Sequence, residues 1–178
     1  MCQQRFFRFM ARIIPETLTE PELIKVLEVA KKPQTRLAFA LGFYQAMRIG
    51  EIVNLLPEHV DKGQKLLRIK QGKGSKDRNI PIAPQVMSGL KYLPIKCGIR
   101  GLQVAFKKAL KRAGITKNLH FHSLRHSGAT FYLNIKRWDL RSVQVFLGHS
   151  KVTTTEIYTH VNPENLVERM WGTYGNLP

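Results

Sequence analysis

The chain has 178 residues, 43% of them hydrophobic, with 29 Lys+Arg against 12 Asp+Glu for a formal net charge of +17. That length fits one domain able to bury a substantial core, and no apolar run approaches the ~20 residues needed to cross a bilayer. Cys2 and Cys97, neither in a Cys-x-x-Cys pair, exclude a disulfide framework and make a reducing, intracellular setting the default.

The start, Arg5-Phe6-Phe7-Arg8-Phe9-Met10-Ala11-Arg12-Ile13-Ile14, is broken by arginine too often for a signal-peptide core and reads as the end of a helix. Pro15 to Leu18 reads as a linker. Thr19-Glu20-Pro21-Glu22 is a capping box with Pro in the first turn, opening an amphipathic helix to about Ala30. A second helix begins at Pro33-Gln34 and runs from Arg36 to Ala46, apolar nearly all round and so predicted to be buried. Arg48 stands just beyond it, before a shorter helix from Gly50 to Leu56. The period then changes: 65–70 and 78–82 read as two strands flanking the glycine-containing loop Gln71 to Asp77. Helical segments follow near 84–91, 101–113, 122–135, 139–147, 151–159 and 163–170. The expected fold is mainly α with a small antiparallel β-hairpin or sheet.

Charge and motif spacing point to a polyanion. From Arg78 to Trp138 the chain has twelve Lys and Arg and no acidic residue, a distribution suited to displacing counterions from phosphates. His122-Ser123-Leu124-Arg125 places an imidazole and a guanidinium three residues apart, on one face of a helix. Arg48 supplies a second guanidinium, whose fork matches phosphate oxygens bidentately. Leu147-Gly148-His149-Ser150 precedes Tyr158. A phosphodiester can be cut without metal if cations hold its oxygens, a nucleophile attacks and an acid protonates the leaving oxygen. A phenol of pKa about 10 needs nearby cations and a proton acceptor to serve as that nucleophile.

Two rival motif readings fail. His120, His122 and His126 have metal-like spacing, but Ser123 stands where a zinc-protease motif needs Glu, and no Cys or carboxylate lies nearby in sequence. Gly72-Lys73-Gly74-Ser75 has Leu67 where a P-loop needs its first glycine.

Taken together, Ala46-Met47-Arg48-Ile49-Gly50-Glu51, Gly72 to Arg78, His122 to Thr130, Leu147 to Ser150 and Tyr158 resemble the catalytic domain of a tyrosine recombinase, the phage-integrase and Xer family, from roughly Pro15 to the C-terminus. The resemblance implies a site-specific DNA strand transferase whose Tyr158 forms a 3′-phosphotyrosine and frees a 5′-hydroxyl, with no metal, ATP or other cofactor. It implies that Arg48 and Arg125 clamp the scissile phosphate and that Lys73 is the general acid for the 5′-oxygen. His122 and His149 would bond phosphate oxygens or handle the tyrosine proton, and Glu51 would orient the arginine or histidine. Lys76 and Arg78 are expected as plain DNA-backbone contacts, and Lys107, Lys108, Lys111 and Arg112 as a candidate DNA-facing row. The implied partners are double-stranded DNA and further copies of the chain, a tetramer on DNA, in the cytoplasm. A topoisomerase of type IB and a non-catalytic DNA-binding remnant are the competing readings. Residues 1–18 are expected to be an N-terminal segment and linker remnant and 19–178 the catalytic domain, the family's N-terminal core-binding domain being absent. The tail after Tyr158 is expected to pack either on its own domain or on a neighbouring protomer.

Overall fold

Helix α1 (Glu20–Val29) begins where the capping box stands: the Thr19 hydroxyl accepts from the Glu22 amide at 3.4 Å, and the Thr19 amide donates to Glu22 Oε2 at 2.8 Å. These bonds satisfy amide donors that the first turn leaves open. The computed structural model of the protein describes residues 16–70, 77–148, 167 and 170–172. Helix α2 (Pro33–Tyr44) is buried at every position from Leu37 to Tyr44, as its all-round apolar sequence requires, and α1 and three later helices surround it. Helix α3 (Ile49–Val53) is shorter than the predicted 50–56 stretch.

Three strands form an antiparallel sheet in the order β1 (Val60–Asp61), β2 (Leu66–Ile69), β3 (Arg78–Pro81), with Leu67 opposite both Val60 and Ile80. The sequence predicts only β2 and β3. Strand β1 has two residues, too few to display a period of two. Helix α4 (Pro84–Met87) runs into a 3-10 turn at Ser88–Tyr92, and α5 (Ile99–Arg112) buries Leu102, Phe106, Ala109 and Leu110 on one side. The predicted helix 122–135 divides into α6 (Phe121–Thr130) and a π turn at Phe131–Ile135 that leaves Phe131 and Tyr132 both in the core. Helix α7 (Leu140–Leu147) follows, N-capped by Asp139, whose carboxylate accepts from the Ser142 amide at 2.8 Å.

The core is aromatic in its centre. Phe39 meets Phe106 and Phe121 edge-on at 5.3 and 6.0 Å, and Tyr132 meets Trp138 and Phe146 at 4.6 and 5.2 Å. Burial of each such ring contributes on the order of 2–3 kcal/mol. The end of the chain closes over this group. Met170 is fully buried and its sulfur accepts from the Tyr132 hydroxyl at 3.1 Å. Trp171 Nε1 donates to the Ile82 carbonyl at 3.1 Å, with Lys65 Nζ 3.8 Å above its ring. Met170 and Trp171 thus pack on the domain they belong to. The predicted helix 151–159 lies outside the described residues.

Helices α2 and α6 touch backbone to backbone. A Cβ built on Gly128 would lie 2.0 Å from the Phe43 carbonyl oxygen, and one on Gly42 would lie 3.1 Å from Leu124 Cβ. Gly128→Ala therefore pushes apart the two helices that carry the site described below, at a cost on the order of 3 kcal/mol. Gly50→Ala, with nothing within 4 Å, is neutral or stabilises by up to about 1 kcal/mol through helix propensity. Urea denaturation of the two variants measures the contrast, and equal stabilities would refute the contact.

Candidate active site

The site starts at the turn that ends α2. Ala46 has φ 44, a left-handed conformation that costs a non-glycine residue about 1 kcal/mol. It is fully buried, and the turn aims its carbonyl at Arg125, whose Nη1 donates to it at 2.6 Å. Arg125 Nη2 donates to the Leu147 carbonyl at 2.8 Å. Arg125 is only 5% exposed, so α6 delivers a guanidinium gripped by the ends of α2 and α7. Among the described residues, two of its five N–H groups are used in this way. Burial first, and then the charge of Arg48, pull its pKa down to about 10, with Glu51 opposing and Arg78 adding to the fall. It stays protonated at neutral pH.

Arg48 caps α3 and is the outward member, its side chain 42% exposed. Its amide donates to Glu51 Oε2 at 2.8 Å and its Nη1 to Glu51 Oε1 at 2.9 Å. Glu51 is held from the other side by Arg78, with Nη1 to Oε1 at 2.9 Å and Nη2 to Oε2 at 3.1 Å. Burial acts to raise the Glu51 pKa, but the hydrogen bonds and charge of Arg78, followed by those of Arg48, outweigh it and hold the carboxyl below its ordinary value. His122 stands at the exposed rim, one turn before Arg125 on α6. Partial desolvation, then the charges of Arg125, Arg48 and His126, keep its imidazole below the usual histidine value. It is therefore mainly neutral near pH 7 and able to accept a proton or a hydrogen bond.

Four of the residues singled out in the sequence thus converge: Arg48, Glu51, His122 and Arg125. Lys73, Lys76, His149 and Tyr158 lie outside the described residues. Arg78 is placed differently from the other expected backbone contacts. Expected against the DNA backbone, it turns inward with its side chain 11% exposed and both terminal nitrogens on Glu51. Strand alternation carries the signal for this, because Arg78 shares a sheet face with the fully buried Ile80. The row on α5 is exposed, with Lys107, Lys108, Lys111 and Arg112 opposite the buried side of the helix. Lys107 Nζ bonds Asn118 Oδ1 at 3.3 Å. The carbonyls of Ala46 and Leu147 and the passage beside Gly148 were not legible in the sequence. Gly148 has φ 69, and a Cβ there would lie 2.6 Å from Arg78 Cδ.

A mostly helical domain with a small antiparallel sheet is the fold of the catalytic domains of tyrosine recombinases. The chain belongs to the phage integrase family, whose model matches residues 16–101 and 99–165. It is 35% identical over 174 residues to the tyrosine recombinase XerA of Thermococcus onnurineus, covering 86% of this chain and 61% of that protein. Among solved structures it is similar to the integrase from mycobacterium phage Brujita (TM-score 0.74, 26% identity, 88% of this chain and 57% of that one). It is also similar to a XerA recombinase (TM-score 0.69, 27% identity, 90% and 65%). The chain therefore spans about three fifths of the length of the curated relatives it matches.

The site dictates how stability responds to acid. Glu51 and His122 both have folded pKa values below their ordinary ones of 4.5 and 6.5, so the unfolded chain binds more protons and stability falls as pH falls. The His122 contribution is complete above 6.5 and is lost below it, and that of Glu51 is complete above 4.5 and is lost below it. In urea titrations taken from about pH 7.5 to about pH 3.5, His122→Asn should flatten the upper limb of the decline and Glu51→Gln the lower. A Glu51→Gln curve parallel to wild type below pH 4.5 would contradict the Arg78 and Arg48 contacts.

Proposed function

We propose that this domain cuts and rejoins DNA by transferring a phosphodiester to Tyr158, as a site-specific recombinase. The observation that carries the reading is the meeting of Arg48 and Arg125 at a cationic site braced by Glu51, with a neutral His122 on its rim. Two guanidinium groups bind the non-bridging oxygens of one phosphate, and their attraction grows as negative charge builds in the pentavalent transition state. Fixed donors of this kind contribute on the order of 3 kcal/mol each. In the buried setting of Arg125 the attraction is stronger than in water.

The Tyr158 oxygen attacks phosphorus and loses its proton to a neutral imidazole, His122 or His149. The bond to the 5′-oxygen breaks, and Lys73 supplies the proton that makes it a hydroxyl. The 3′-phosphotyrosine stores the bond energy, so attack by the 5′-hydroxyl of a partner strand reseals the backbone without ATP or metal. Lys76 and the exposed row Lys107, Lys108, Lys111 and Arg112 contact the DNA backbone, and the net charge of +17 favours such contacts. Residues 19–178 form the catalytic domain, and residues 1–18 a lead-in segment. The enzyme acts on duplex DNA in the cytoplasm, in an assembly of several copies that brings two strands together.

A nicked suicide duplex incubated with the protein in EDTA, followed by a denaturing gel, tests this reading. Wild type should give a covalent protein–DNA adduct and Tyr158→Phe none. Arg125→Ala should slow adduct formation about 10²–10³-fold. An adduct that persists in Tyr158→Phe, or forms only with added metal, would overturn the mechanism. Closed recombinant products distinguish strand exchange from relaxation of supercoils, and binding without any adduct identifies a DNA-binding remnant.

A further inference from the structure

Arg78 stands outside the set of residues proposed to touch phosphate, yet it is nearly buried and held by two bonds. Its two terminal nitrogens lie on the two oxygens of Glu51 at 2.9 and 3.1 Å, a bidentate fork between side chains only 11% and 8% exposed. Its methylene stem passes the end of α7 so closely that position 148 has no room for a Cβ. One side chain therefore joins the first residue of β3, the acid of α3 and the C-cap of α7.

The consequence follows from counting donors on Glu51. Each carboxylate oxygen receives one donor from Arg48 and one from Arg78. Arg48 reaches Glu51 through its amide and a single guanidinium nitrogen, so its other guanidinium nitrogens are not spent on that carboxylate. Without Arg78, a buried carboxylate would face unfilled acceptor sites, and the 42% exposed Arg48 guanidinium next to it would turn to fill them with a fork of its own. That turn would misplace Arg48 against a bound phosphate without removing its charge from it, and would leave one carboxylate charge balanced by only one arginine.

We propose that Arg78 is a positioning residue that saturates the far side of Glu51, so that Arg48 keeps most of its guanidinium for phosphate. This rests on the reading of the cluster as the scissile-phosphate site. Arg78 itself makes no contact with DNA.

The test measures duplex affinity over a range of salt, and the single-turnover rate of adduct formation at saturating suicide duplex, for Arg78→Ala and Arg78→Lys. Displacement of a phosphate-binding group by about 1 Å is expected to slow cleavage about 100-fold in Arg78→Ala. Affinity should stay within about 2-fold and the salt slope should be unchanged, since no phosphate contact is lost. Arg78→Lys, which keeps the charge and one contact, should recover part of the rate. Loss of affinity with a slope smaller by about 1, and normal cleavage at saturation, would make Arg78 a backbone contact and overturn the proposal.

If Arg78→Ala does not fold, Arg78→Lys and Glu51→Gln carry the test. The double variant should be no slower than the slower single one, because both act through the same carboxylate, and multiplied losses would overturn it. A wild type that forms no adduct defeats the strand-transfer reading but leaves positioning measurable. The Arg48 side-chain signal in nitrogen NMR should move in Arg78→Lys and stay fixed in the surface variant Lys25→Ala. A signal that does not move in Arg78→Lys defeats the positioning.

Discussion

One carboxylate shared between two arginines holds the site together. Arg48, Arg78 and Arg125 carry three positive charges into a region where burial already depresses the pKa of Arg125 to about 10. Gathering like charges there is unfavourable unless something opposes it. Glu51, 8% exposed and bound by four donors, is that opposing charge. It leaves the cluster with an excess of positive charge. Among the described residues, this one acid opposes the three arginines without neutralising them.

The frame around that carboxylate is made of backbone rather than side-chain packing. Arg125 is fixed by two carbonyls, one from the strained turn at Ala46 and one from the last residue of α7. Its helix is fixed in turn by the close approach of Gly128 to the Phe43 carbonyl. Carbonyl acceptors position a guanidinium without adding negative charge to the site. The left-handed turn at Ala46 is a local cost tolerated because the surrounding core over-determines it. Such strain at the edge of a functional site trades some stability for geometry.

The tail contributes to the same frame from the opposite end of the sequence. Met170 fills the space beside Tyr132, whose hydroxyl also donates to the Tyr44 carbonyl at 2.8 Å, at the end of α2. Trp171 is anchored on Ile82, one residue past β3. The stretch between α7 and this anchor contains Tyr158, so its two ends are both tied to the elements that present Arg125 and Arg78.

Much of the fold was legible in the chain because the signals are local. The Thr19 box, the all-apolar run of α2 and the alternation of β2 and β3 each depend on neighbours within a few residues. The meeting of Arg48, His122 and Arg125 was legible only as a set of motifs resembling a family, since spacing cannot bring positions 48 and 125 together. What tertiary structure alone decided is the division of labour among the cations. Composition counts Arg48, Arg78 and Arg125 alike, but packing gives one to the rim, one to Glu51 and one to two distant carbonyls. Burial and partner geometry, unlike propensity and period, are properties of the whole folded chain, and they determine which positive charges remain free for a ligand.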